Sequence, residues 1–203
     1  MKGWPSVPIL LMAALSVGIA GQSVKYITGN AAHLSPEFAP KYLEHIGILR
    51  AHGVAAIIVL AMGPFQFIAP LRARFPRAHR ISGRVYLLGV LVASIFGFRM
   101  GLMAHGGWLA EVAFCTFAVL WLLTGAVALE RILRGDIRGH RAWMIRNFAL
   151  TFGAVTLRLY LNALQAVGAD FDAIYVACAW AGWVPNMLVA EWIVARLRRA
   201  AIP

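Results

Sequence analysis

The chain has 203 residues, of which 61% are hydrophobic and only 13% are charged, and its formal net charge is +11. A soluble domain typically carries about 25% charged residues, so a soluble enzyme, a disordered chain and a nucleic-acid-binding domain are excluded as first interpretations. The composition instead indicates an integral membrane protein, with the lipid bilayer as its partner and no nucleic acid.

Six stretches are long and apolar enough to cross a bilayer as helices, because a span needs about 20 largely apolar residues. They cover residues 6–24, 46–70, 82–104, 108–130, 143–166 and 173–195. Most connections between them are short, so helices that follow each other in the chain are expected to be antiparallel neighbours. We therefore predict an all-α integral membrane protein that forms a single domain over residues 1–203, with six transmembrane helices in an antiparallel bundle.

The distribution of charge predicts the orientation of this bundle. Thirteen arginines fall into three clusters between or after the apolar stretches: Arg72, Arg74, Arg77, Arg80 and Arg84; Arg131, Arg134, Arg138, Arg141 and Arg146; and Arg196, Arg198 and Arg199. If both termini are cytoplasmic, the inner side holds fourteen basic and three acidic residues, and the outer side four and five. Basic loops stay on the cytoplasmic side, so we predict cytoplasmic termini in a bacterial inner membrane.

Polar side chains recur along one face of the predicted fifth helix. Asn147, Thr151, Arg158, Asn162 and Gln165 follow each other at intervals of four, seven, four and three residues, and this spacing places all five on the same face. Two interpretations remain open. The stripe either holds helices together through hydrogen bonds, or it lines a cavity for a polar or charged ligand around the intramembrane guanidinium.

Histidines near the helix ends suggest a cofactor site. Two histidines from facing helices can hold a haem iron axially, and the pairs that the topology allows are His79 with His140 and His52 with His105. The alternatives are a copper or zinc site, a quinone site in which His52 donates a hydrogen bond, or anchoring of lipid phosphate by the inner histidines.

The predicted third helix carries small residues that complement such a site. Gly83, Gly89, Ser94, Gly97 and Gly101 leave room for close approach. They either allow close helix packing or leave space for a flat cofactor. In the second case, Arg158 and Gln66 would bind the charged or oxygen-containing groups of that cofactor.

Two motifs resemble a known family. The run from His140 to Thr151 (HRAWMIRNFALT), followed by Arg158, and the run from His79 to Tyr86 (HRISGRVY) are distinctive, as is the Gly63–Phe67 segment GPFQF. Together they resemble an uncharacterised bacterial family of small multi-pass membrane proteins, a domain of unknown function with an H-R-x-W-M-x-R…T…R signature. The resemblance covers roughly residues 45–165 and implies that these motifs form the site. A looser architectural likeness is to six-helix cytochromes of the b561 type.

Three functions follow as hypotheses. The first is a membrane-embedded electron-transfer protein that binds haem b, a quinone or both, with His52, His79 and His140 as iron ligands and a redox partner or larger membrane complex beside it. The second is a non-catalytic accessory or assembly subunit. The third is a small-molecule or anion transporter, for which Gly63-Pro64 and Pro185 are the sequence hints, since broken helices mark such sites.

Overall fold

A computed structural model describes residues 7–34 and 39–200, and the residues it describes form helices and no strands. The α-helices, in chain order, are α1 Val7–Ser23, α2 Ala39–Glu44, α3 Ile46–Met62, α4 Ala69–Arg74, α5 Pro76–Gly101, α6 Trp108–Leu133, α7 Ile137–Ala166, α8 Phe171–Ala181 and α9 Val184–Arg199. Short 3-10 segments cover Val24–Thr28, Ala31–His33 and Gly63–Phe67. The all-α prediction is confirmed.

Five segments are long and apolar enough to cross a membrane. They are Val7–Thr28, Ile46–Phe67, Pro76–Gly101, Trp108–Leu133 and Phe171–Arg199, and they correspond to five of the six predicted spans. The remaining span, 143–166, lies within α7, which at 30 residues extends about 45 Å. Its arginines and amides keep α7 out of the apolar set, so the count of six spans and the cytoplasmic termini stay predictions.

The described residues group into two compact units, one within Met1–Met100 and the other within Gly101–Pro203. The prediction of a single domain is not tested by this grouping. Each unit has its own core: Val59, Tyr86 and Val90 are buried in the first, and Leu150, Val155 and Val194 in the second.

Glycines allow close packing of α5 against α3 in the first unit. A methyl group added at Gly89 would lie 2.5 Å from Val59 Cγ2, and one added at Gly97 would lie 3.0 Å from His52 Nδ1. The contact at Gly89 is shorter than packed atoms tolerate, and the contact at Gly97 would require the His52 ring to shift by a few tenths of an ångström. Protein side chains fill the space beside these two glycines. At these positions, the small residues therefore serve helix packing.

The second unit is built around α7, which packs against α6, α8 and α9. The predicted span 173–195 is divided into α8 and α9 at Gly182 and Trp183, and Pro185 stands in the first turn of α9. A broken helix inside a membrane leaves backbone groups that protein must satisfy. Here the Asn186 amide donates to the Gly182 carbonyl oxygen at 3.2 Å and to Thr156 Oγ1 on α7 at 3.0 Å.

Candidate functional site

A cavity of about 260 Å³ lies in the first unit, where the spans Ile46–Phe67 and Pro76–Gly101 have their neighbouring ends. Its walls come from the end of α3, the 3-10 segment, α4 and the start of α5. The lining is largely apolar with a few polar groups: Met62, Phe65, Leu71, Phe75 and Ala78 are the apolar residues, and Gln66, Arg72, His79 and Ser82 the polar ones. This composition is typical of small-molecule sites.

The turn after α3 explains how Gln66 reaches this cavity. Gly63 and Pro64 are buried and begin the 3-10 segment, after which Ile68 is extended. The change from α to 3-10 geometry turns Gln66 inward, where only 8% of it is exposed. Two residues that the motifs singled out separately, Gln66 and His79, are thereby brought into one cavity.

Hydrogen bonds fix the polar side of the cavity. Gln66 Nε2 donates to Ser82 Oγ at 2.7 Å, and Ser82 Oγ donates to the His79 carbonyl oxygen at 3.2 Å. Arg72 Nη1 lies 3.4 Å from the Gln66 carbonyl oxygen. Ser82 and Arg72 were not predicted as site residues, because an isolated serine carries no sequence signal and Arg72 was counted only as a loop charge.

His52 lies elsewhere in the same unit. Its Nδ1 is 2.8 Å from the carbonyl oxygen of Ala93 on α5. A carbonyl oxygen can only accept, so the neutral ring carries its proton on Nδ1 and its lone pair on Nε2. Ala93 follows His79 by fourteen residues, about 21 Å along α5, so His52 and His79 lie at different depths.

His140 shares this hydrogen-bond pattern in the second unit. Its Nδ1 is 2.8 Å from the Ala128 carbonyl oxygen on α6, which leaves the lone pair on Nε2 by the same argument. Each predicted haem pair, His79 with His140 and His52 with His105, joins a residue of one unit to a residue of the other, and both pairings stay predictions.

His105 has a carboxylate partner. Its Nε2 lies 2.6 Å from Asp172 Oδ1, and its ring packs beside Phe171 and Tyr175. These contacts link the loop after α5 to the first turn of α8. Across residues 7–34 and 39–200, no three histidine, cysteine or acidic side chains come together as a metal site.

The first part of the polar stripe on α7 binds α6. Asn147 Nδ2 donates to the Trp121 carbonyl oxygen at 2.8 Å and to Thr124 Oγ1 at 2.9 Å. Trp121 Nε1 in turn donates to Thr151 Oγ1 at 2.9 Å. Asn147 and Thr151 are buried, so these two residues act as a link between helices.

The second part of the stripe is different. Arg158 is half-buried, and its Nη1 donates to the Ala154 carbonyl oxygen one turn earlier at 2.9 Å. Asn162 and Gln165 are exposed. The five residues therefore share a face of α7 but not an environment, and a ligand-binding role for Arg158, Asn162 and Gln165 stays a prediction.

Sequence reasoning missed an ion pair between a buried arginine on α7 and a half-exposed glutamate on α9. Arg146 donates to Glu191 from Nε at 2.6 Å and from Nη2 at 2.8 Å, and its guanidinium carbon lies 4.6 Å from the centre of the Trp143 ring. Arg146 is 7% exposed, and its Nη1 has no hydrogen-bond partner in the described part of the chain. Counting loop charges assigned both residues to the inner surface. The available signal was the lone acidic residue in the sixth predicted span.

Substitutions in the two parts of the stripe are expected to differ in their effect on stability. We expect Asn147→Leu to lower the free energy of unfolding by about 1 kcal/mol, since two interhelical hydrogen bonds are lost, and to lower the midpoint of thermal unfolding in detergent. The matched variant Asn162→Leu, on the same face of the same helix, is expected to leave the midpoint unchanged. Equal effects of the two substitutions would contradict the division of the stripe.

Comparison with known proteins gives one match. Residues 49–194 match the family described as "Predicted membrane protein (DUF2306)", and this range includes the cavity, the polar stripe and both His-Arg motifs. Neither the curated proteins nor the solved structures contain a match to the chain. Since the matched range covers more than half of the chain, the protein belongs to this family of membrane proteins of unknown function.

Proposed function

We propose that this protein is a membrane-embedded electron-transfer protein that binds a quinone head group in the cavity beside His79. The observation that carries the proposal is that Gln66, Arg72, His79 and Ser82 line a largely apolar cavity at the ends of two apolar spans. A quinone has a matching arrangement of polar and apolar groups. It has a flat apolar ring, two oxygens that accept hydrogen bonds, and a hydrophobic tail that would lie in the lipid.

The cavity residues suit the chemistry of such a ligand. Reduction of a quinone to a quinol takes up two protons and two electrons, and a separate electron-donating redox partner would supply the electrons. The His79 imidazole can donate a proton to a quinone carbonyl oxygen, while the Gln66 amide and the Arg72 guanidinium are hydrogen-bond donors. Phe65 and Phe75 offer faces against which the ring can stack.

Haem b is the alternative cofactor for the same function. The candidate axial ligands are His52 and His140. The Nδ1 of His140 bonds to the Ala128 carbonyl oxygen, which favours the ring tautomer whose lone pair is on Nε2, the atom that would bind iron. When bound, haem would supply a one-electron carrier. The cavity beside His79 is smaller than the roughly 300–1,000 Å³ of typical ligand sites, so it fits a quinone head group better than a whole porphyrin.

We further propose that six segments cross a bacterial inner membrane with both termini on the cytoplasmic side. Five are the apolar segments, and α7 is the sixth, with Asn147 bonded to α6 and Arg146 bonded to Glu191 on α9. The arginine clusters support this orientation. A reporter enzyme that is active only outside the cytoplasm should be inactive when fused after Pro203, and an active fusion would contradict the orientation.

Binding of a short-chain quinone to the purified protein tests the electron-transfer proposal. We expect His79→Leu to raise the dissociation constant about tenfold, which corresponds to the loss of one hydrogen bond of about 1.4 kcal/mol. The measurement is equilibrium titration in detergent, with organic extraction to detect quinone that the protein retains during purification.

The control is His33→Leu, since His33 makes its hydrogen bonds locally, to the Lys25 carbonyl oxygen and Thr28 Oγ1, and is expected to leave affinity unchanged. Absence of quinone binding and of Soret absorption in the wild type would overturn both cofactor proposals. Co-purification with a larger complex that survives substitution of His79 and His140 would then favour an accessory subunit.

Anion transport is a second candidate, supported by the break between α8 and α9. Discontinuous helices with polar groups at membrane depth mark substrate sites in transporters. Trp183, which precedes α9, is 7% exposed, and its Nε1 has no hydrogen-bond partner among the described residues. In proteoliposomes loaded with a chloride-sensitive dye, we expect chloride flux that Trp183→Phe reduces severalfold. Flux that equals that of empty liposomes would remove this candidate.

A further inference from the structure

Five arginines form an exposed surface that begins in α4 and continues into the first turns of α5. We call it the first basic surface, and its arginines are Arg72, Arg74, Arg77, Arg80 and Arg84. The sequence from Ala69 to Arg84 contains no aspartate or glutamate. No ion pair involves these five residues within the described ranges 7–34 and 39–200. Within those ranges, no carboxylate pairs with any of the five guanidinium groups.

The basic connection between α6 and α7 shows a different arrangement. Arg134 pairs with Glu130 at 2.7 Å, and Arg131 pairs with Asp136 at 3.3 Å. Two of its arginines thus have carboxylate partners within a few residues. Both connections are rich in arginine and both count equally toward an orientation rule. They differ because none of the arginines in the first connection has a carboxylate partner among the described residues, whereas two arginines in the second do.

Exposed apolar side chains accompany the first basic surface. Leu71, Phe75 and Ile81 are 39%, 48% and 62% exposed. The Arg74 guanidinium carbon lies 5.4 Å from the centre of the Phe75 ring. The surface lies at the ends of the spans Ile46–Phe67 and Pro76–Gly101, which is where acyl chains give way to head groups. Apolar and cationic groups side by side match that boundary.

We propose that the first basic surface binds the phosphate head groups of anionic phospholipid, with Leu71, Phe75 and Ile81 against the acyl chains. Charge complementarity commits the surface to this occupant, because clustered arginines at a membrane boundary attract anionic lipid and guanidinium groups donate to phosphate in a bidentate manner. This inference does not rest on the quinone proposal.

Native mass spectrometry of the purified protein tests it. The protein is incubated in detergent with equal amounts of phosphatidylglycerol and phosphatidylcholine, and retained lipids are counted. We expect the wild type to retain phosphatidylglycerol preferentially. The triple variant Arg74→Gln, Arg77→Gln and Arg80→Gln is expected to lower that retention about tenfold. Arg72 stays unchanged in this variant because it also lines the cavity. Quinone binding by the variant is measured separately, so that failure of the lipid proposal can be distinguished from failure of the quinone proposal.

Two controls make the result specific. Arg131→Gln, Arg134→Gln and Arg138→Gln remove the same number of charges from the other connection, and we expect them to preserve the preference. Changing Arg74, Arg77 and Arg80 to lysine keeps the charge and is expected to preserve most of it, which also reports on folding. Equal retention of both lipids by the wild type, or equal losses in the two glutamine triples, would overturn the proposal.

Discussion

The need to satisfy polar groups without water governs the second unit. Inside a bilayer, lipid offers no hydrogen bonds, so every polar side chain on a spanning helix must find its partner in the protein. Helix α7 carries more such groups than any other segment. Two neighbouring helices bind its buried polar side chains: α6 binds Asn147 and Thr151, and α9 binds Arg146 through Glu191. Arg158 donates to a carbonyl oxygen of α7 itself, and Asn162 and Gln165 are exposed. These contacts explain how a helix too polar to be recognised by its hydropathy becomes the centre of a membrane unit.

In the first unit, small residues allow close helix packing, and a turn after α3 forms the cavity. Glycines on α5 bring it close to α3, so the main body of this unit is tightly packed. The cavity lies where α3 ends, because the Gly63–Phe67 segment departs from α-helical geometry and turns Gln66 inward. A quinone bound there, as we propose, would lie at the membrane boundary, where an amphiphilic molecule is most easily exchanged with lipid.

The features of the fold and the site that the sequence predicts are those set by residues close together in the chain. Apolar length alone located five spans, and periodicity correctly placed Asn147 and Thr151 on one face of α7. Gln66 and His79 were singled out from separate motifs, but their meeting in one cavity depends on the turn at Gly63 and on tertiary packing. The pairing of Arg146 with Glu191 spans 45 residues, and no local pattern encodes it. The break at Gly182 and Trp183 was foreshadowed only by Pro185, which is as compatible with a kink as with two separate helices.

The central claim is that buried polar contacts hold α7 to its neighbours, and a double-mutant cycle on Arg146 and Glu191 tests it most directly. Arg146→Met, Glu191→Gln and the combined variant are compared with the wild type by denaturant unfolding in detergent micelles. Glu191 is about half exposed, which moderates the expected effect. The account predicts a coupling free energy of at least about 1 kcal/mol, with the double variant less destabilised than the sum of the single variants. Effects that add within about 0.3 kcal/mol would contradict it.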